Sequence, residues 1–243
     1  MKKFSRKSKS LFLSLVLFSL IPGREVFSKN FLFNPPVVSY NPPSLTGLST
    51  LYGRLNLDVM GLSREAFTYA LNGYEKLLQA GKITNDRIIT IIDFTKSSSS
   101  KRLFVIDLEK EQLLFNTYVA HGQNSGKAYA TQFSNIPESL QSSLGFYQTS
   151  ETYIGKHGYS MQLIGLEKGI NDKANERAIV LHGAAYVSEQ LIRSQGFIGR
   201  SWGCPAVPEK YSKSIINSIK NGSCLFIYAS DKNYLNKSRL VFG

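Results

Sequence analysis

Two cysteines and three histidines stand out among 243 residues as candidates for nucleophilic or metal chemistry. Cys204 lies in "GRSWGCPAV", between a glycine and a proline, two residues after the only tryptophan, Trp202. Glycine and proline suit neither a helix interior nor a central strand, so a loop presents this thiol. It could be a nucleophile, half of a disulfide or a metal ligand. Each histidine is followed by glycine: His121 in "AHGQNSG", His157 in "KHGYSM" and His182 in "LHGAAY". Each lies at or near the end of an apparent strand, where glycine lets the chain turn or a ligand come close.

A free thiol titrates near ~8.5, so little thiolate is present near neutrality. A histidine within hydrogen-bond reach can take the proton and later return it to a leaving amine. His182 precedes Cys204 by 22 residues, enough for one strand end, one short helix and one loop. Attack on a carbonyl also needs donors for the oxyanion. The N–H groups of Gly203 and Cys204 are the candidates. Pro205 has no N–H, but it stiffens the loop.

The elements that must position these groups follow from periodicity and punctuation. "LSREAFTYALNGYEKLLQAG" is an amphipathic helix, with Ser63 as N-cap, a stripe of Phe67, Leu71, Tyr74 and Leu78, and Gly81 as its stop. From residue 86 the pattern becomes β. "RIITIIDF" is one strand, and "RLFVIDL" and "QLLFNTYVAHG" form a hairpin across "EKE". "SMQLIGLE" and "RAIVLHGA" are joined by the polar turn "KGINDKAN". "VSEQLIRSQG" and "VPEKYSKSIINSIKNG" are helices flanking the cysteine loop, and "SCLFIYAS" is the last strand. The expected fold is mainly β with flanking helices (α+β).

The first 28 residues read as a secretory signal peptide: a basic opening stretch, the apolar run 11–21, and Val26 and Ser28 before a cleavage point. The apolar run is short for a membrane span, so no stable span is expected after cleavage. No cysteine follows it, which argues against a lipoprotein. Cleavage after Ser28 removes six Lys/Arg and Glu25, and the net charge falls from +12 to +7. That excess favours an anionic partner, and export argues against nucleic acid. Residues 29–57, with two Pro-Pro pairs, read as an extended arm. Residues 58–85 read as the N-terminal helix packing on the core, 86–231 as the catalytic domain and 232–243 as a C-terminal tail.

Residues 86 to 230 carry a resemblance. "YVAHGQNSG", "FSN", "SSLGFY", "GKHGYSMQLIGLE", "GIND-A-ER" and "GRSWGCPAV", in that order, resemble the L,D-transpeptidase catalytic domain (the YkuD-type fold), in a divergent murein L,D-transpeptidase branch. The resemblance implies a β-sandwich or barrel catalytic domain. It implies Cys204 as the acyl-accepting nucleophile and His182 as general base, with the Gly183 backbone orienting the ring. Ser201 and Gly203 would shape the oxyanion loop. Phe146 and Tyr147 of "SSLGFY", with Tyr186, would line the substrate cleft, and Arg200 would hold an acidic stem peptide. Trp202 stands where the main family has a second histidine. It would pack the loop or stack on substrate, with His157 or His121 as spatial substitutes for that histidine.

The implied reaction is acyl transfer on peptidoglycan stem peptides in the periplasm or cell envelope, without metal or organic cofactor. Cys204 would expel the terminal D-alanine. An amine of another stem peptide, or of an acceptor protein, would resolve the thioester; water would make the enzyme a carboxypeptidase. Carbapenem sensitivity is a further implication. Three rivals stand beside this reading. A cell-wall cysteine peptidase usually places Cys before His, the reverse of the order here. A non-catalytic wall-binding module would use a Cys204–Cys224 disulfide. A zinc site would need all three histidines with Cys204, whose spacing matches no short zinc motif.

Overall fold

The computed structural model describes residues 45–242. The expected signal peptide and most of the Pro-rich arm lie outside the described residues. The end of that arm is not extended: helix α1 spans Leu45–Arg54, and Leu51, Tyr52 and Leu57 are buried. The two Pro-Pro pairs precede it, so the later residues are free to coil.

Helix α2 spans Arg64–Gln79, and the Ser63 side chain accepts from the Ala66 N–H as an N-cap. Its buried face carries Phe67, Leu71, Tyr74 and Leu77; Leu78, expected on that face, is only half-buried. Burying a side chain of this size contributes roughly 1.5–3 kcal/mol. Gly73 lets the helix lie against the ring of Phe146. A Cβ there would sit 2.0 Å from the ring's Cζ. That ring is stacked on Phe226 at 4.1 Å and has no room to retreat. Gly73→Ala should therefore cost about 1–3 kcal/mol by overpacking, despite alanine's better helix propensity. Urea unfolding of the variant measures this.

One sheet of eight strands carries the fold, in the order β3-β2-β1-β8-β4-β5-β6-β7. The strands are β1 Asn85–Asp93, β2 Leu103–Asp107, β3 Gln112–Thr117, β4 Gly145–Gly155, β5 Gly158–Gly165, β6 Val180–Gly183, β7 Ala206–Val207 and β8 Ser223–Tyr228. β2 and β3 form the expected antiparallel hairpin. β5 and β6 pair antiparallel across the "KGINDKAN" turn. β1 and β8 pair in parallel, and their Ile, Leu and Phe side chains fill the core. Beyond β3 the chain turns back to β7: the Ala120 N–H bonds Ala206 O at 2.8 Å. This contact draws the two ends of the sheet into a nearly closed barrel.

Helix α3, Glu189–Gln195, and helix α4, Glu209–Ile219, flank the cysteine loop. α4 buries Ile215, Ile216 and Ile219. The last residues are not a free tail. Helix α5 spans Lys232–Lys237 and buries Tyr234, while Ser238 hydrogen-bonds the buried Glu167. β4 had no strand signal of its own in the sequence reading, and it overturns one assignment. Phe146 and Tyr147 lie on β4 between β8 and β5, fully buried, rather than in a substrate cleft. The first residues of that strand meet core on both faces, so Phe146 and Tyr147 pack inward.

Candidate active site

Cys204 is set by the short β6–β7 pairing. His182 is the register partner of Ala206, and Gly183 of Val207. Two residues upstream of Ala206, the Cys204 thiol reaches the carbonyl of Ala178, 3.7 Å away, just before β6. Gly183 is glycine for space. A Cβ would meet the Ser212 side chain at 2.7 Å, where α4 presses on β6.

The loop before Cys204 is clamped on several sides. Ser201 donates its N–H to His121 O at 2.9 Å and accepts from the Gln123 N–H at 2.8 Å. Its Oγ accepts the Gly203 N–H at 3.0 Å and donates to Cys204 O at 2.6 Å. The Ser142 hydroxyl donates to Gly203 O at 3.2 Å. Gly203 has φ 124°, a conformation that L side chains rarely adopt. The Gly203 N–H, one of the two donors considered for an oxyanion, is thus engaged by Ser201. Ser201→Ala would leave that N–H without its partner. The expected loss is about 1–3 kcal/mol, with faster iodoacetamide alkylation of Cys204 in the loosened loop. Thermal melting and a timed alkylation check both.

His182 is buried on β6, yet its ring reaches the same cavity as the thiol. Its Nδ1 lies 2.9 Å from Gly183 O, so Nδ1–H donates there and Nε2 is the acceptor nitrogen. No hydrogen-bond partner meets Nε2 among the described residues. Burial holds the imidazole below its usual pKa; the bond to Gly183 opposes this, and nearby His157 adds to it. Burial pushes the Cys204 thiol up, against a backbone hydrogen bond from Val180 and the charge of Arg177. Both directions favour a resting pair of neutral thiol and neutral imidazole.

A cavity of about 290 Å³ surrounds them. Tyr153, Lys156, His157, Arg177, Tyr186, Arg200, Ser201 and Trp202 line it, with no acidic side chain among the described residues. His157, Tyr186, Arg200 and Trp202 thus line the same cavity as Cys204 and His182. Trp202 is 68 % exposed, and Lys156 Nζ lies 5.3 Å from its ring centroid. It is available as a stacking surface rather than packed into the loop. Arg200 donates to Gly126 O at 3.1 Å, which fixes its stem at the rim.

His121 is not in the cleft. It is fully buried, and its Nδ1 takes a hydrogen bond from Arg102 at 2.7 Å while its ring lies edge-on to Phe94. Burial and Arg102 pull its pKa to about 4, so it stays neutral. Arg102 also bonds Val119 O twice and Lys96 O. This network holds residues 121–123, which grip Ser201. His121 thus supports the loop from behind, and the three histidines are not gathered with Cys204 as a zinc set. Both cysteines are free thiols, with Cys224 sealed in the core on β8, so the Cys204–Cys224 bridge is not formed.

Arg177 is the residue that sequence reading missed. Its guanidinium donates to Ser134 O at 2.7 Å, Ser143 Oγ at 3.1 Å and Gln141 O at 2.5 Å. All are neutral acceptors, so its charge stays uncompensated beside Cys204. The block "GIND-A-ER" contained it, but nothing local marks which arginine faces a thiol 27 residues away.

A loop cysteine and a strand-end histidine thus share an acid-free, cationic cleft on a nearly closed sheet. A family model described as "L,D-transpeptidase catalytic domain" matches residues 59–228. The chain belongs to the L,D-transpeptidase catalytic domain family. Among solved structures, it is similar to an L,D-transpeptidase from Mycobacterium smegmatis, at 11 % identity and TM-score 0.36, over 59 % of each chain. It is similar to the helical cell shape determining protein Pgp2 (K307A mutant) from Campylobacter jejuni, at 13 % and 0.42, over 68 % of this chain and 57 % of that one. It is also similar to an L,D-transpeptidase from Xylanimonas cellulosilytica, at 13 % and 0.33, over 74 % and 92 %. The chain thus spans about three fifths of the Mycobacterium smegmatis structure's length. A comparison with curated proteins returned no match.

Proposed function

We propose that the protein is an exported L,D-transpeptidase that uses Cys204 as nucleophile on peptidoglycan stem peptides. The observation that carries this reading is the Cys204 thiol sharing an acid-free cationic cavity with His182, whose Nε2 is unpartnered among the described residues. His182 takes the thiol proton as sulfur attacks the carbonyl of the third stem residue. The Gly203 N–H is engaged by Ser201, which leaves the Cys204 N–H as the loop's oxyanion donor. His182 then protonates the departing amine of D-alanine. An acceptor amine attacks the thioester, loses its proton to His182, and restores the thiol.

Lys156, Arg177 and Arg200 make the cleft attractive to a carboxylate, and stem peptides are acidic. The exposed face of Trp202 offers a stacking surface for the substrate. Export fits the basic and then apolar opening stretch and a substrate outside the cytoplasm; among the described residues no helix is long and apolar enough to cross a membrane.

The test is incubation of the mature protein with disaccharide-tetrapeptide, followed by mass spectrometry. Free D-alanine together with a crosslinked dimer is the expected result. D-Alanine with tripeptide alone would make water the acceptor. Unchanged tetrapeptide, or cleavage at another bond, would overturn the proposal.

A further inference from the structure

His157 occupies the two-residue turn of the β4–β5 hairpin, with Lys156, between the paired Gly155 and Gly158. Gly158 has φ 71°, which lets the turn close tightly. Between Thr149 and Thr152 the pairing register shifts. Such a bulge bends a hairpin and re-aims its tip. The tip makes two contacts with the catalytic cleft. Lys156 lies over Trp202, and the His157 ring stacks on His182, with centroids 4.3 Å apart and planes 21° apart. His157 is itself exposed to solvent.

This is an unusual setting for a general base. His182 Nδ1–H is bound by a backbone carbonyl, not by a carboxylate. No acidic side chain lines the cavity among the described residues, so no carboxylate holds the ring of His182 in place. Among the described residues, the aromatic face stacked on it is that of His157.

We infer that His157 is a positioning residue for His182: its stacked ring fixes the plane of the base and the aim of its free nitrogen. This rests on the proposed cysteine mechanism. His157 neither gains nor loses a proton in the cycle. The proton travels from Cys204 to His182 Nε2 and on to the leaving amine. The stack also keeps His182 in its neutral, accepting form, because two adjacent imidazoles resist double protonation. The charged and titratable groups around His182 are His157, Lys156 and Tyr153 from the hairpin, Arg177 before β6, Tyr186 after it, and Arg200 and Cys204 from the loop. Glu209 of α4 passes behind Gly183. Of these, only His157 contacts the ring face.

Two variants separate the ring from its ionisation. His157→Ala should lower the kcat for D-alanine release about tenfold, as expected for loss of one aromatic stack on the reacting base. The acid limb of the pH profile should move up by about half a unit or more, because a repelling neighbour is gone and His182 holds its proton more readily. His157→Phe should restore the rate to within about threefold of wild type while keeping the raised acid limb. Thermal melts should barely change, since His157 is exposed. An imidazole NMR titration of His182, compared between wild type and His157→Ala, reads the coupling without substrate. If wild type releases no D-alanine, the functional proposal fails, and the titration still decides whether His157 acts on His182. An unchanged His182 titration in His157→Ala would overturn the inference. So would a His157→Phe enzyme as slow as His157→Ala.

Discussion

Cys204→Ala is expected to release no measurable D-alanine from disaccharide-tetrapeptide, a fall of at least about 10³-fold, because no other group can form the acyl intermediate. Cys224 cannot substitute. It lies sealed on β8, and burial pushes its thiol far above the ordinary range. Nor should the loss come from unfolding. Cys204 is half-buried in a loop whose clamps are Ser201, Ser142 and the 121–123 backbone. None of those hydrogen bonds uses the sulfur. Removing one sulfur atom there should cost no more than about 1 kcal/mol, so the melting curve should nearly overlay wild type. Intact-mass measurement sharpens the test. Wild type incubated with tetrapeptide and no amine should carry the tripeptide acyl group on Cys204; the variant should carry none. Retained turnover in Cys204→Ala would remove the thioester from the mechanism.

In the proposed mechanism, the resting protonation states make the thiol wait for a substrate. Burial raises Cys204 and lowers His182, so the pair does not sit as a preformed thiolate–imidazolium at neutral pH. Proton transfer must accompany attack. Arg177, held by neutral acceptors beside the sulfur, favours the anion as it develops. Under that proposal the cationic cleft serves twice, attracting an acidic peptide and steadying negative charge that exists only during reaction.

The sequence made legible what short-range chemistry controls. Cys204 and His182 stood out because glycine and proline exclude ordinary packing at those positions. The strand and helix between them leave little freedom, and the β6–β7 register realises that closeness. Ser63 as a cap and the Phe67–Leu71–Tyr74 stripe followed from helix periodicity. What failed depended on the third dimension. Phe146 and Tyr147 look like cleft residues in a Ser- and Gly-rich segment, yet they sit at the start of a strand, where both faces are covered. His121 shares the His-Gly signature with His182, but Arg102, fully buried and without a direct carboxylate partner among the described residues, takes its imidazole. Arg177 carried no local mark at all. Leu45–Arg54 coils into a helix that buries Leu51 and sets Tyr52 against Phe67 of α2, which the prolines upstream concealed.

His182→Gln tests the other half of the pair, with an expected loss of about 10²–10⁴-fold in kcat/KM, the range for removing a positioned general base. The size follows from the protonation states. Were Cys204 already ionised, losing the histidine would matter little to attack. Since burial holds the thiol up, its proton needs an acceptor, and His182 Nε2 is unpartnered among the described residues and lines the same cavity. The amide of glutamine can bond Gly183 but cannot carry the proton forward. The pH profile gives the sign. In wild type, activity requires neutral His182, so it is lost as pH falls through a pKa depressed below the ordinary ~6.5. The acid limb should therefore lie on the acidic side of that value. In His182→Gln that limb should vanish. The residual rate should climb with pH toward the raised thiol pKa, because only pre-formed thiolate can then attack. A variant that keeps the wild-type acid limb would assign the titration to another group and remove His182 as the base.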